Sequence, residues 1–186
     1  LESIERNAGR LRRLVDDLLL AAESSLGRLS VRREPVNLSS IVRNSVAAAE
    51  PAAEERGVTL DSRVRGELVA VGDEERLEQA LDNLIGNALK FTPAGGRVRV
   101  KLAAVGDAAR VEVADTGSGI PAEEQTRLFE RFYRADASRQ PAVHGLGIGL
   151  SVVRAVAEAH GGRATVRSTE GVGAEFTLEV PLGGRR

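Results

Sequence analysis

The sequence predicts an α+β fold, a two-layer α/β sandwich with helices on one face of a mixed sheet and a coiled-coil-like helix in front. Three observations predict it. Segments with apolar residues at helical spacing are interleaved with paired segments of strand character, in the order helix, helix, two strands, helix, two strands, loop, helix, two strands. The clearest strand pair is apolar at every second position, Val98, Val100 and Leu102, then Val111 and Val113, as half-buried strands are. The length, 186 residues, suits one full domain with a short appendage.

Residues 1–27 read as one helix. Ile4, Leu11, Leu18 and Ser25 are spaced by sevens, with Leu14 and Ala21 between them, a heptad seam that Asn7 and Ser25 interrupt. Such a helix either packs on its own domain or joins an intermolecular bundle, and its abrupt start favours the bundle. Residues 28–36 are a linker, and residues 37–183 form the main domain. Asn37 or Ser39 caps a second helix running to Arg56, with Gly57 as its stop and Pro51 expected to kink it or split off its last turn. Short strands are expected at Val58 to Val64 and Glu67 to Val71, around a turn at Gly66. Asp73 caps a strongly patterned helix to about Phe91, ended by Thr92-Pro93 and Gly95-Gly96. A hairpin follows, Arg97 to Val105 and Arg110 to Asp115, turning at Gly106-Asp107. Residues 116–146 are irregular and rich in Gly, Pro, Ser and Asp, and a loop of this length in a compact domain is usually functional or disordered. A helix opens near Gly147 and stops at Gly161-Gly162 after His160. Strands at Arg163 to Ser168 and Ala174 to Val180 close the domain.

Composition narrows the function. A net charge of −1 gives no global basic field for nucleic acid. With no cysteine and two histidines, disulfides are excluded and a zinc centre is disfavoured. No apolar run reaches the ~18 residues of a membrane span. The opening Leu1-Glu2-Ser3-Ile4 has neither a start methionine nor a signal-peptide pattern, and reads as a cut from a longer protein.

Three constellations carry chemistry. In Asn83-Leu84-Ile85-Gly86-Asn87-Ala88-Leu89-Lys90-Phe91, Asn83 and Asn87 are one above the other on a helix, and Lys90 falls on the same stripe. Amide oxygens suit Mg2+ and an ammonium holds phosphate. A solvated polar face would also explain the stripe, although Asn is a poor residue for a helix interior. Asp115-Thr116-Gly117-Ser118-Gly119-Ile120-Pro121 puts a carboxylate at a strand end, where it can accept from an exocyclic amine such as adenine's, or simply cap a turn. Gly145-Leu146-Gly147-Ile148-Gly149-Leu150 leads into a helix and offers free N–H groups to phosphates. Between them lies Leu128-Phe129-Glu130-Arg131-Phe132-Tyr133-Arg134, an apolar anchor whose Arg131 and Arg134 can reach phosphate.

In order and spacing, this set resembles the sensor histidine kinases of bacterial two-component systems. Asn83 to Phe91 matches that family's N box, Asp115 to Gly119 its first glycine box, Phe129-Glu130-Arg131-Phe132 its F box and Gly145 to Leu150 its second glycine box. His160-Gly161-Gly162 and Gly171 to Phe176 match its last strands. Residues 1–27, with Arg10-Leu11 and Asp17-Leu18-Leu19, look like the second helix of the dimerisation and phosphoacceptor domain.

The resemblance implies a Bergerat ATP-binding fold and a cytoplasmic domain of a membrane-anchored sensor. It implies that Asn87 binds Mg2+ with help from Asn83, that Lys90 contacts phosphate, and that Phe91 borders the nucleotide. Asp115 would recognise adenine, with Gly117, Gly119 and Ile120 beside it. Gly145, Leu146, Gly147, Gly149 and Leu150 would form the lid, and Arg134 would assist transfer. The partners it implies are ATP, a phosphoacceptor His outside this sequence, a response regulator, and a second copy through the N-terminal helix. Two departures stand out. Ala174 replaces the usual Thr or Ser of the last glycine box, and neither His144 nor His160 lies in an acceptor setting, so both read as structural. The alternatives are a degenerate binding module, a same-fold ATPase, or an anti-sigma serine kinase. The hydrolytic relatives carry a water-activating Glu at the position of Asn83, and Asn cannot be that base.

Overall fold

In a computed structural model, residues 15–20, 22–23, 29–134 and 146–183 are described. Residues 15–20 are helical, as are 22–23. The main domain then runs β1 (Glu34–Asn37), α1 (Leu38–Glu55), β2 (Thr59–Val64), β3 (Val69–Gly72), α2 (Glu74–Phe91), β4 (Arg97–Val105), β5 (Ala108–Asp115), α3 (Ala122–Gln125), α4 (Gly149–Ala159), β6 (Arg163–Thr169) and β7 (Gly173–Pro181). The two-layer α+β expectation holds. Among the described residues none forms a helix long and apolar enough to cross a membrane.

Five strands form one sheet in the order β2-β4-β5-β7-β6, with β2 and β4 parallel and the other pairs antiparallel. Strand alternation makes the sheet two-faced. Val98, Val100 and Leu102 on β4, Val111 and Val113 on β5, and Phe176, Leu178 and Val180 on β7 are buried. The helices α1, α2 and α4 lie over them, α1 against α2 and α2 against α4. The opposite face carries ion pairs: Lys101 with Glu112 at 3.3 Å, and Arg110 and Arg163 both on Glu179, at 2.7 and 2.6 Å.

The helix that presents most of the candidate site, α2, is specified locally at both ends. The Asp73 side chain accepts from the Arg76 N–H at 3.3 Å, and Glu74 and Glu75 face the positive end of the helix dipole. Thr92 ends it in extended geometry ahead of Pro93, its hydroxyl donating to the Ala88 carbonyl at 2.6 Å. Leu77, Leu81, Leu84, Ile85 and Ala88 bury its sheet-facing side. Asp73 is itself pinned. Arg32 reaches it through backbone and guanidinium, at 3.0 and 3.3 Å, and its own N–H donates to His160 Nε2 at 2.9 Å. Nδ1 of His160 donates to the Val156 carbonyl at 2.7 Å, so His160 ties the end of α4 to the start of α2. This is the structural role expected of it. His144 lies outside the described residues.

Three features differ from the sequence expectation. The segment expected as a linker ends in strand β1, which pairs antiparallel with β3 as a separate two-stranded sheet. The strands flanking Gly66 therefore do not pair with each other. Pro51 lies inside α1 without splitting it. Pro51 and Ala47 are both exposed, so water can satisfy the carbonyl that proline's missing N–H leaves.

Candidate nucleotide-binding site

The carboxylate at the end of β5 is held by backbone. Asp115 Oδ1 accepts from the N–H of Gly117 at 2.8 Å and of Ala174 at 3.3 Å. Its other oxygen makes no hydrogen bond within the described residues and remains open as an acceptor. Burial pushes the Asp115 carboxyl above the ordinary aspartate range, opposed by the two N–H groups. The close approach of β7 depends on Gly173: its φ is +138°, and a Cβ there would collide with the Asp115 carbonyl. The contact from residue 174 is made by its backbone, so Ala174 satisfies it without the hydroxyl of the family pattern.

The loop after Asp115 is sewn to β6. Ser168 Oγ donates to the Gly173 carbonyl at 2.7 Å and accepts from the Ile120 N–H at 2.8 Å. Gln125 Nε2 donates to the carbonyls of Ile120 and Ser168, both at 2.9 Å. Gly119 packs backbone to backbone on Thr169. Neither Ser168 nor Gln125 carries a sequence signal for this role, since each acts on a backbone group far along the chain.

From this end, α2 leads across the site. Phe91 meets the loop, for a Cβ on Gly117 would stand 2.5 Å from the Phe91 carbonyl oxygen. Two turns back, about 12 Å along the axis, Asn83 meets the start of α4: its Oδ1 is 3.0 Å from where a Cβ on Gly149 would be. Asn83, Asn87 and Lys90 are all half-buried between these points. Lys90 Nζ lies 5.0 Å from the centre of the Phe91 ring. Asn87 makes no side-chain hydrogen bond within the described residues. Asn83 does: its Nδ2 donates to Asp17 Oδ1 at 3.3 Å, and Gln79 Nε2 donates to the same oxygen at 2.7 Å. In the sequence, Asp17 reads only as part of Asp17-Leu18-Leu19, in the segment that looks like a dimerisation helix.

At the far side, α4 begins at Gly149 with no side-chain cap on its first N–H groups. The Gly147 carbonyl accepts from the Phe132 N–H at 2.9 Å, with Gly147 at φ +71° and Phe132, a non-glycine, at +60°. This joins the aromatic segment around Phe132 to the glycine-rich residues before α4. Arg127 stacks on Tyr133 at 4.4 Å, and Phe129 meets Phe176 edge to face. Arg134 lines an open cavity of about 390 Å³ with Arg127, Glu130, Arg131, Phe132 and Tyr133. Leu146 is exposed and Leu150 half-buried. Gly145 lies outside the described residues. Among the described residues no group of three or more His, Cys, Asp or Glu could hold a metal ion, so a divalent ion here would depend on amide and ligand oxygens.

The profile of the histidine kinase-, DNA gyrase B-, and HSP90-like ATPases matches residues 72–184. The chain belongs to this ATPase family. Within it, the chain is 32% identical over 180 residues to the signal transduction histidine-protein kinase BaeS of Escherichia coli, covering 97% of this chain and 38% of BaeS. It is 39% identical over 175 residues to the probable sensor histidine kinase TcrY of Mycobacterium tuberculosis, covering 94% of this chain and 36% of TcrY. Among solved structures, full-length ShkA in complex with AMPPNP aligns with a TM-score of 0.81 and 32% identity, over 97% of this chain and 37% of ShkA. The ATPase-family chain thus spans a little over a third of the length of these relatives.

Proposed function

We propose that this chain is the ATP-binding catalytic part of a two-component sensor histidine kinase. On this reading it binds Mg-ATP and presents the γ-phosphoryl group to a histidine on the dimerisation domain, for relay to an aspartate of a response regulator. The observation that carries the proposal is Asp115. A half-buried carboxylate has one oxygen held by two backbone N–H groups and the other open, at the end of a site otherwise lined by Asn83, Asn87 and Lys90. ShkA, similar along nearly the whole chain, was solved with an ATP analogue, which supports the same ligand here.

The residues divide the work by position. The open oxygen of Asp115 accepts from the adenine amine, and Gly117 and Gly119 let the flat ring approach the backbone. Phe91 and Ile120 border the base. Asn87 and Asn83 fit a hard cation, since both are half-buried amides whose oxygens accept no protein hydrogen bond within the described residues. When bound, Mg2+ would be held by these amide oxygens and would supply positive charge to neutralise the phosphates. Lys90 adds a compact positive charge, and the N–H groups at the start of α4, with Gly145, Leu146, Gly147, Gly149 and Leu150, close over the phosphates. Arg134 stands at the lid's edge to meet charge on the transferred group.

Transfer itself asks little covalent chemistry of the protein. An imidazole nitrogen of the acceptor attacks the γ-phosphorus, the N–P bond forms as the bond to the bridging oxygen breaks, and ADP leaves. Asn83 cannot deprotonate water, which supports transfer over hydrolysis. Phosphate release from ATP tests this. The chain is expected to hold ATP without steady turnover, and Asn83→Glu to introduce some. Sustained hydrolysis by the unaltered chain would contradict a kinase reading. A place in the cytoplasm beneath a membrane anchor, and pairing of two copies through the N-terminal helix, belong to the same proposal.

A further inference from the structure

We propose that Asp17, on the N-terminal helical segment, is a positioning residue for the nucleotide site, turning the Asn83 carboxamide so that its oxygen faces the lid. The inference rests on the nucleotide reading above. Asp17 Oδ1 accepts from both Gln79 Nε2, at 2.7 Å, and Asn83 Nδ2, at 3.3 Å. A carboxylate only accepts, so the NH2 end of each amide must face it. For Asn83 this points the oxygen the other way, to the start of α4, where Gly149 has no side chain and a Cβ would stand 3.0 Å from that oxygen.

An asparagine amide has two nearly isosteric orientations, one offering oxygen and the other offering N–H. Only the first can serve a cation. Asp17 selects it from outside the nucleotide site. The segment that carries Asp17 is anchored for this purpose. Leu20, one turn further on and on the same helix face, is fully buried in the domain core, and Arg76 reaches Glu23 at 3.9 Å. On α2, Gln79, Asn83 and Asn87 follow at intervals of four, so Asp17 closes one end of the polar stripe. A helix rotated or slid by one turn would withdraw the acceptor and free the amide, which links helix position to site competence.

The test uses this chain, the analogue AMPPNP with and without Mg2+, and the side-chain amide signal of Asn83 in a 15N NMR spectrum. Asp17→Ala is expected to shift that signal before any ligand is added. It is also expected to weaken Mg2+-supported binding about tenfold to a hundredfold, the usual loss when a ligand's orienting partner is removed, while binding without Mg2+ is unchanged. Asp17→Glu keeps an acceptor and should recover part of the loss. An unmoved Asn83 signal, or a full Mg2+ effect in Asp17→Ala alongside an unaltered chain that binds, overturns the inference and leaves the nucleotide reading intact. An unaltered chain that binds no AMPPNP overturns the nucleotide reading and this inference with it.

Discussion

The two ends of the candidate site are built differently. At the end proposed for the base, every contact involves the main chain: Asp115 accepts from the N–H groups of Gly117 and Ala174, and the side chains of Ser168 and Gln125 fix main-chain atoms of the loop. At the end proposed for the phosphates, the groups are side chains on one helix face, and the amide of Asn83 donates to Asp17, on a helical segment more than sixty residues away. A strand end fixes one acceptor in place, whereas the helix stripe offers groups whose direction other elements can set. On the proposed reading, recognition of the base is preorganised, and handling of the phosphates is open to control.

Substitutions at the two ends should separate these behaviours. The largest effect is expected from Asp115→Asn. If its oxygen keeps the Gly117 and Ala174 N–H groups, its NH2 replaces the open oxygen and meets the adenine amine donor to donor. A charge-assisted hydrogen bond is worth about 1.5–3 kcal/mol, so titration should find affinity for the ATP analogue reduced by at least that equivalent, with or without Mg2+. The variant should remain folded. Burial raises the Asp115 carboxyl, so its contribution to stability is full below the ordinary value of 3.8 and is lost as pH rises through the raised folded-state value, a loss the neutral amide avoids. The same shift predicts that base binding weakens on acidification starting above the ordinary value of 3.8, visible in a pH series of titrations.

Next comes Asn87→Ala, expected to remove the Mg2+ effect while leaving metal-free binding in place; retention of the Mg2+ effect would move the ion elsewhere. Asp73→Ala should cost about 1–2 kcal/mol in denaturant unfolding by loss of the cap, without changing the Mg2+ dependence. Burial pushes the Asp73 carboxyl up, but the N–H groups of Arg32 and Arg76 and the Arg32 guanidinium outweigh it and hold it below 3.8. Its contribution is thus present above that value and fades as pH falls through the lowered one. The smallest effect is expected from Ala174→Thr, because the Asp115 contact at that position is a backbone N–H.

How much was legible follows from the range of each signal. The helix α2 could be read at both ends, since Asp73, the apolar spacing and Thr92-Pro93 are all local. The β4–β5 hairpin was equally plain from alternation and Gly106-Asp107. Strand β1 was not, because its four residues include Pro35 and its partner is β3, more than thirty residues on. Pro51 does not split off the last turn of α1, where the carbonyl that loses its partner is open to water. In the site, Asn83, Asn87, Lys90 and Asp115 stood out through order and spacing, while Asp17, Ser168 and Gln125 act across the fold on partners no short motif contains.

Calorimetric titration of this chain with a non-hydrolysable ATP analogue, in the presence and absence of Mg2+, tests the central claim most directly. Saturable one-site binding that Mg2+ strengthens is the predicted result. A folded chain that binds no analogue under either condition would contradict it.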